Sequence, residues 1–400
     1  MWILESAMRE YPEKFIKTED VDIAGRERLG SFGIDISHFS NCYILPGLTD
    51  VHVHLREPGF LYKETMKTGT LSAAAGGFTD IFSMPNLDPC PDTVENLEIQ
   101  LAAIERDACV RVYPYGAITM GERGQELSDM ERLADHVIAF TDDGRGVASE
   151  EMMREAMKRA KALGKLIVAH CEDENFPKES SESEWKQLER DIRLIRETGC
   201  SYHVCHVSTR ESIELVRKAK EEGLDITCET APHYLTISND QVEDDGRFKM
   251  NPPIKGPEDR EVLLEAIADG TIDMIATDHA PHSRDEKSRG FADSAFGIVG
   301  METAFPVMYT KLVETGTITA DRLIQLMCDG PRKRFGLPGT SIASELSSAA
   351  PTFAIWDLDS RYRIDPEGFQ SMGRSCPFEG WTVTGRCLLT AVDGKVVWRY

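Results

Sequence analysis

Four hundred residues, 41% hydrophobic and 28% charged, exceed one ordinary domain but suit a barrel enzyme with a small appended unit. A net charge of −23 argues against nucleic acid and anionic membranes as partners, because both select basic surfaces. Met1-Trp2-Ile3-Leu4-Glu5 opens with no basic segment, and no apolar run approaches the roughly eighteen residues of a membrane span, so neither leader nor anchor is expected.

Residues 1–46 are mixed, and their apolar fragments (Phe15-Ile16, Val21-Asp22-Ile23, Ile34-Asp35-Ile36) predict a few short strands. From Tyr43 the pattern becomes strand, then amphipathic helix, repeated. Strand-like runs end at His54, Met84, Gly116, Thr141, His170, His206, Glu229 and Asp278, with helical spacing over 150–163, 185–198, 210–222 and 259–268. Eight such units imply an α/β fold, a (β/α)8 barrel over 47–336. Past Gly336 the helical rhythm stops, and 352–356, 381–383 and 395–398 read as strands. The flanks, 1–46 and 337–400, are expected to pair into one small β domain. None of the ten cysteines forms a C-x-x-C pair, so reduced thiols in a cytoplasmic protein are expected.

Metal-competent side chains recur at strand ends, and in a parallel barrel those ends share one rim. In Asp50-Val51-His52-Val53-His54, two imidazoles at i and i+2 point to the same side of a strand. The fourth strand adds Asp142 or Asp143, the fifth His170, the sixth His206 and the eighth Asp278. An aspartate has two oxygens and can bridge two ions, so this set suits two Zn2+ with positions left open for water and substrate. Such ions acidify a bound water, which points to hydrolysis at an electrophilic carbonyl.

Further motifs surround these positions: His54-Leu55-Arg56-Glu57-Pro58-Gly59, Met84-Pro85-Asn86, Thr141-Asp142-Asp143-Gly144, Met250-Asn251-Pro252-Pro253 and Thr277-Asp278-His279-Ala280-Pro281-His282. Together they resemble the amidohydrolase superfamily and, within it, the dihydroorotase family, over about 46–336. The resemblance implies reversible interconversion of L-dihydroorotate and N-carbamoyl-L-aspartate. It makes His52, His54 and Asp278 ligands of one zinc, His170 and His206 ligands of a second, and Asp143 the bridge. It assigns His54, Arg56 and Asn86 to the substrate with Asn251 and His282, sets Phe296 and Gly297 over it, and makes Asp278 the general base and acid. Small-molecule substrate aside, the partners it brings into view are a second copy of the chain and a transcarbamoylase.

Other polar residues receive plainer readings. His203 is expected to pack behind the barrel, His38 and His136 to be surface or core, and His233 and His279 to be structural, with support of the ligands as their alternative reading. Cys171, Glu172 and Asp173 directly follow His170, and a solvated loop explains them as well as a role at the site does; 178–184 reads as a charged connector, and Lys249 and Lys255 as exposed lysines. Two rival functions remain: another cyclic-amide hydrolase (hydantoinase, dihydropyrimidinase or allantoinase), or a silent scaffold for a transcarbamoylase. The former relatives bridge their metals through a carboxylated lysine on the fourth strand, where Val137-Ile138-Ala139-Phe140-Thr141 offers none.

Overall fold

The computed structural model describes residues 14–400; the chain start and the first part of the N-terminal flank lie outside the described residues. Two strands, β1 (Ile16–Lys17) and β2 (Tyr43–Pro46), precede the barrel. Barrel strands then follow: β3 (Leu48–Val53), β4 (Phe78–Ser83), β5 (Arg111–Pro114), β6 (Gly116–Ala117), β7 (Phe140–Thr141), β8 (Ile167–Ala169), β9 (Tyr202–Val204), β10 (Ile226–Thr230) and β11 (Met274–Ile275). All neighbouring pairs are parallel, in the runs β3-β4-β5 and β6 to β11. Only Tyr115 separates β5 from β6. Its amide donates to Ser83 O at 3.0 Å, while Gly116 N donates to Ala139 O at 3.0 Å, so one strand position serves both runs. These are eight barrel positions.

The ring closes between first and last strands. Val53 bridges to His279, and His54 N donates to His279 O at 2.8 Å. Below this, buried Asp50 accepts from Thr277 N at 3.1 Å and Thr277 Oγ1 at 2.6 Å. Strands covered on both faces need apolar residues on both faces, which is why they read as near-continuous apolar runs. Val51, Phe82, Tyr115, Val168 and Cys205 fill the lumen, and Phe335 plugs it edge-on against Phe82 at 4.7 Å between centroids.

Helices over Met66–Ala75, Val94–Asp107, Glu150–Ala162 and Arg210–Glu221 cover the outside. Each starts at a Thr or Ser whose hydroxyl accepts an amide from the first turn, a cap contributing about 1 kcal/mol. The Arg210–Glu221 helix buries Ile213, Val216 and Ala219, three apart, against the barrel.

After the barrel come β12 (Phe353–Arg363), β13 (Thr382–Val392) and β14 (Lys395–Arg399), in an antiparallel sheet ordered β1-β2-β12-β13-β14. Two expectations need correction. Val21–Ile23 and Ile34–Ile36 are not strands: Ile23–Ser31 is a helix capped by Asp22, and Ile34–Ile36 is irregular. The buried positions Val21, Gly25 and Leu29 are four apart, a helical spacing that two-residue apolar fragments hide. The later strands are also longer than their apolar runs, because the outer part of β12 exposes alternate side chains. Sheet and barrel meet where a Cβ on Gly77 (φ +78°) would lie 2.3 Å from Trp356 Cζ2. Among the described residues, no helix is long and apolar enough to cross a membrane.

Candidate metal centre

Six side chains from five strand ends converge at the barrel mouth, none more than 6% exposed. His52 Nε2 lies 3.3 Å from Asp143 Oδ1 and 3.5 Å from Asp278 Oδ1. His54 Nε2 lies 3.2 Å from Asp278 Oδ1 and 3.4 Å from Asp143 Oδ2. On the other side, His170 Nδ1 and His206 Nε2 stand 2.9 Å apart, 3.7 and 3.8 Å from Asp143 Oδ1. Asp143 is the carboxylate that lies within 4 Å of both groups. Asp142 turns away, its Oδ1 accepting from Ile118 N at 2.8 Å and Thr119 N at 3.0 Å.

The cluster fits divalent cations. Atoms about 2 Å from a tetrahedral metal stand a little over 3 Å from one another, close to these separations. His52 Nε2 and Asp143 Oδ1 are buried with no hydrogen-bond partner, a costly state unless something else binds them. Charge agrees. Burial pushes the His52 imidazole down, but Asp143 and Asp278 more than reverse this and hold it well above its ordinary value, so the pocket draws positive charge.

Behind the cluster, the far nitrogens of three imidazoles are held, which fixes ring orientation. Glu229 Oε1 lies 2.7 Å from His52 Nδ1, Asn86 Oδ1 lies 2.8 Å from His54 Nδ1, and Glu172 Oε2 lies 3.1 Å from His170 Nε2. His203 is therefore corrected. It points into the lumen, 3.0 Å from Glu229 Oε2, and packs on Phe335. β9 ends at Val204 and His206 is left-handed (φ +29°), so strand alternation does not relate the two histidines. Glu172 is corrected too: it is buried, and Asn251 Nδ2 donates to it at 2.7 Å. Burial raises its carboxyl, but His170, Lys178 and Asn251 outweigh that and hold it at about 2.

Arg56 (φ +62°) reaches beside the cluster, donating to Pro281 O at 3.2 Å with a terminal nitrogen 3.3 Å from His282 Nε2. The same His282 nitrogen lies 2.7 Å from Phe296 O. Gly297 (φ +134°) is required here, since a Cβ would meet Ala280 O at 2.5 Å. Asn86, Asn251, Phe296 and Gly297 line, with Arg56 and five of the six clustered side chains (all but His52), a cavity of about 220 Å³. His233 is buried, its imidazole pushed down to about 4 by burial, and His279 Nδ1 accepts from Gly300 N at 3.2 Å. His38 and His136 are exposed.

Three lysines shape the rim, two of them read from the sequence as exposed. Lys255 is buried rather than exposed, and Lys249 faces the Phe296 ring at 4.5 Å. Lys287, also buried, donates to Lys249 O at 3.0 Å and Ala295 O at 2.7 Å, holding the loop that carries Phe296. Burial, with Lys249 nearby, pushes its ammonium from 10.5 down to about 7. Across that window the unfolded chain binds the proton more tightly, so this group's contribution to stability grows as pH rises. Lys287→Met abolishes that slope and orphans Ala295 O, while Lys249 O keeps only its bond from Gly297 N, at about 1–3 kcal/mol. The expected result is a lower Tm with a deficit larger at pH 9 than at pH 7; an equal deficit at both would refute the assignment.

A family model described as dihydro-orotase-like matches residues 42–186. A dihydroorotase of Bacillus caldolyticus is 45% identical over 384 residues, 91% of this chain and 89% of its own. One from Fusobacterium nucleatum subsp. nucleatum is 44% identical over 96% of both chains. Among solved structures, the L-hydantoinase (dihydropyrimidinase) from Arthrobacter aurescens superposes with a TM-score of 0.79 at 28% identity, covering 89% of this chain and 85% of its own.

Proposed function

The chain belongs to the dihydroorotase family of pyrimidine biosynthesis, and from that membership we propose how its own residues interconvert L-dihydroorotate and N-carbamoyl-L-aspartate. The observation that carries the substrate assignment is Arg56. Its guanidinium is buried beside the metal cluster, yet among the described residues no carboxylate lies within ion-pair distance of it. Carboxylates act on it only from beyond contact, and a buried cation without a direct ion pair is costly, so an anionic substrate group completes the site. Dihydroorotate carries such a carboxylate; a simple hydantoin or dihydropyrimidine does not.

The family depends on metal, and His52, His54 and Asp278 would hold one zinc, His170 and His206 a second, with Asp143 shared. Bound there, the two ions would acidify a water and polarise the amide carbonyl. The chain's own side chains do the rest. Arg56 grips the carboxylate through paired N–H donors, a match of two planar groups, with Asn86 beside it. His54, Asn251 and His282 meet further polar edges of the substrate. Phe296 and Gly297 cover it and exclude bulk water. Asp278 takes a proton from the attacking water and delivers it to the ring nitrogen; in ring closure it runs the transfer backwards.

Arg56→Met should keep its metals and raise KM for both dihydroorotate and carbamoyl aspartate. One buried charge-assisted pair is lost at a cost of roughly 2–5 kcal/mol, or about one and a half to three and a half orders of magnitude. Dihydrouracil, lacking the carboxylate, should be a poor substrate for the native enzyme. Equal turnover of dihydrouracil and dihydroorotate would sink the anchor.

A further inference from the structure

The two nitrogens of His282 face different surroundings. Nε2 meets groups that line the cavity, lying 2.7 Å from Phe296 O and 3.3 Å from a terminal nitrogen of Arg56. Nδ1 meets groups behind the cavity wall, 3.2 Å from Lys63 Nζ and 3.5 Å from Glu286 Oε2. Lys63, on the loop after β3, also lies 3.0 Å from Glu286 Oε1. Glu286 belongs to the short Arg284–Lys287 helix, and its Oε2 accepts from Ser283 N and Ser283 Oγ, both at 2.9 Å.

These contacts admit one proton arrangement. A lysine ammonium has only hydrogens to offer, so Nδ1 must meet it with a lone pair. The neutral ring then carries its proton on Nε2, where the Phe296 carbonyl accepts it. Arg56 is a donor as well. It and the Nε2–H therefore stand side by side as two donors, a pair that an oxygen of the bound substrate would satisfy.

Without Lys63 the balance reverses. Glu286 is an acceptor beside Nδ1 and carries a full charge, so it would draw the ring proton there and leave Nε2 bare. Lys63 prevents this twice, by occupying Glu286 and by donating to Nδ1 itself. The charged groups facing the ring are Arg56 and Lys63 from the loop after β3, and Glu286 and Lys287 from the short helix. Burial first, then Arg56 and Lys63, hold the imidazole below its ordinary value against the pull of Glu286, so the ring stays neutral.

Resting on the dihydroorotase reading above, in which His282 meets the substrate, we propose that Lys63 is a positioning residue that keeps the His282 proton on Nε2. The substrate thus finds a fixed N–H donor beside Arg56, and Lys63 itself never touches it.

The test uses metal-assayed protein at pH 8.5, above the ordinary imidazole value of about 6.5. In substrate-free enzyme labelled with nitrogen-15 histidine, the His282 signals are identified by their loss in His282→Gln. They should show a bare Nδ1 and a protonated Nε2 in native enzyme, and the reverse in Lys63→Met. KM for dihydroorotate should rise about tenfold in Lys63→Met with a much smaller change in kcat, as one hydrogen bond to a charged group is lost. Lys63→Arg, still a donor, should keep KM near native. Lys63→Met combined with Glu286→Gln should recover most of the loss, because the carboxylate that draws the proton to Nδ1 is gone. A lysine that merely props its loop would not be rescued by a second substitution. A protonated Nδ1 in native enzyme, a protonated Nε2 retained in Lys63→Met, or no recovery in the double variant would each overturn the proposal. If Arg56→Met behaves as expected and the Lys63 results do not, only the Lys63 assignment falls. A native enzyme that turns over neither compound overturns the parent reading, while the nitrogen signals still decide whether Lys63 sets the proton.

Discussion

Asp278→Asn, fully loaded with metal, is expected to lose at least the roughly 10²–10⁴ in kcat that general acid–base catalysis supplies, in both directions. The reaction needs one group that accepts a proton during opening and returns it during closure. Asp278 fits because it belongs to both neighbourhoods: 3.2 Å from His54 Nε2 among the ligands, and part of the cavity wall. Its left-handed backbone (φ +49°) turns it over the mouth after β11 has ended. Burial would raise its carboxyl, but the imidazoles of His52, His54 and His206 overcome this and hold it below the usual carboxylate range. Asparagine keeps the shape and cannot carry the proton. Because opening releases a proton, native opening gains as pH rises and closure gains as it falls; the variant should be slow at every pH. Metal content is measured on the same sample, to separate proton transfer from ligation. A metal-loaded variant with near-native kcat in either direction refutes the role.

Asp143→Ala should abolish activity and release at least one metal. Among the six clustered side chains, Asp143 is the carboxylate within 4 Å of imidazole nitrogens on both sides, and without it His170 and His206 retain only two ligand atoms, too few to hold zinc firmly. Elemental analysis after gel filtration reads the loss directly. Native activity should not depend on bicarbonate, and intact mass should show no carboxylated lysine. Both metals retained in Asp143→Ala, with loss in Asp142→Ala, would transfer the bridge to the neighbour.

The strand-then-helix rhythm was legible from Tyr43 to Gly336 because barrel strands are apolar on both faces and helices on one, two patterns that differ in period. Ring closure was not, because it depends on Asp50 meeting Thr277, a pairing that no local period encodes. Around the centre, what could be read was whatever sits at a strand end with metal-binding chemistry. The supports were harder to see. Glu229 and His203 satisfy each other inside the lumen, and the available signal was a carboxylate within an otherwise apolar strand, which must have a partner. Glu172 shares strand parity with His170, a cue obscured because a solvated loop explained the stretch equally well. Lys255 carried no cue, since its three acceptors are backbone oxygens and every loop has those.

The seam between β3 and β11 governs when the centre can come into being. His54 and Asp278, separated by 224 positions in sequence, end 3.2 Å apart. During synthesis the amino-terminal ligands emerge long before the carboxylate that completes their set, and closing so long a loop is slow. On the proposed ligand set, the nascent chain would present a half-made site, and firm metal capture would wait until the last barrel strand docks. A bound ion would then act as a rivet across the final joint of the ring. Chelation should accordingly loosen the first and last strands before any others, visible as deuterium uptake concentrated at 48–54 and 274–282.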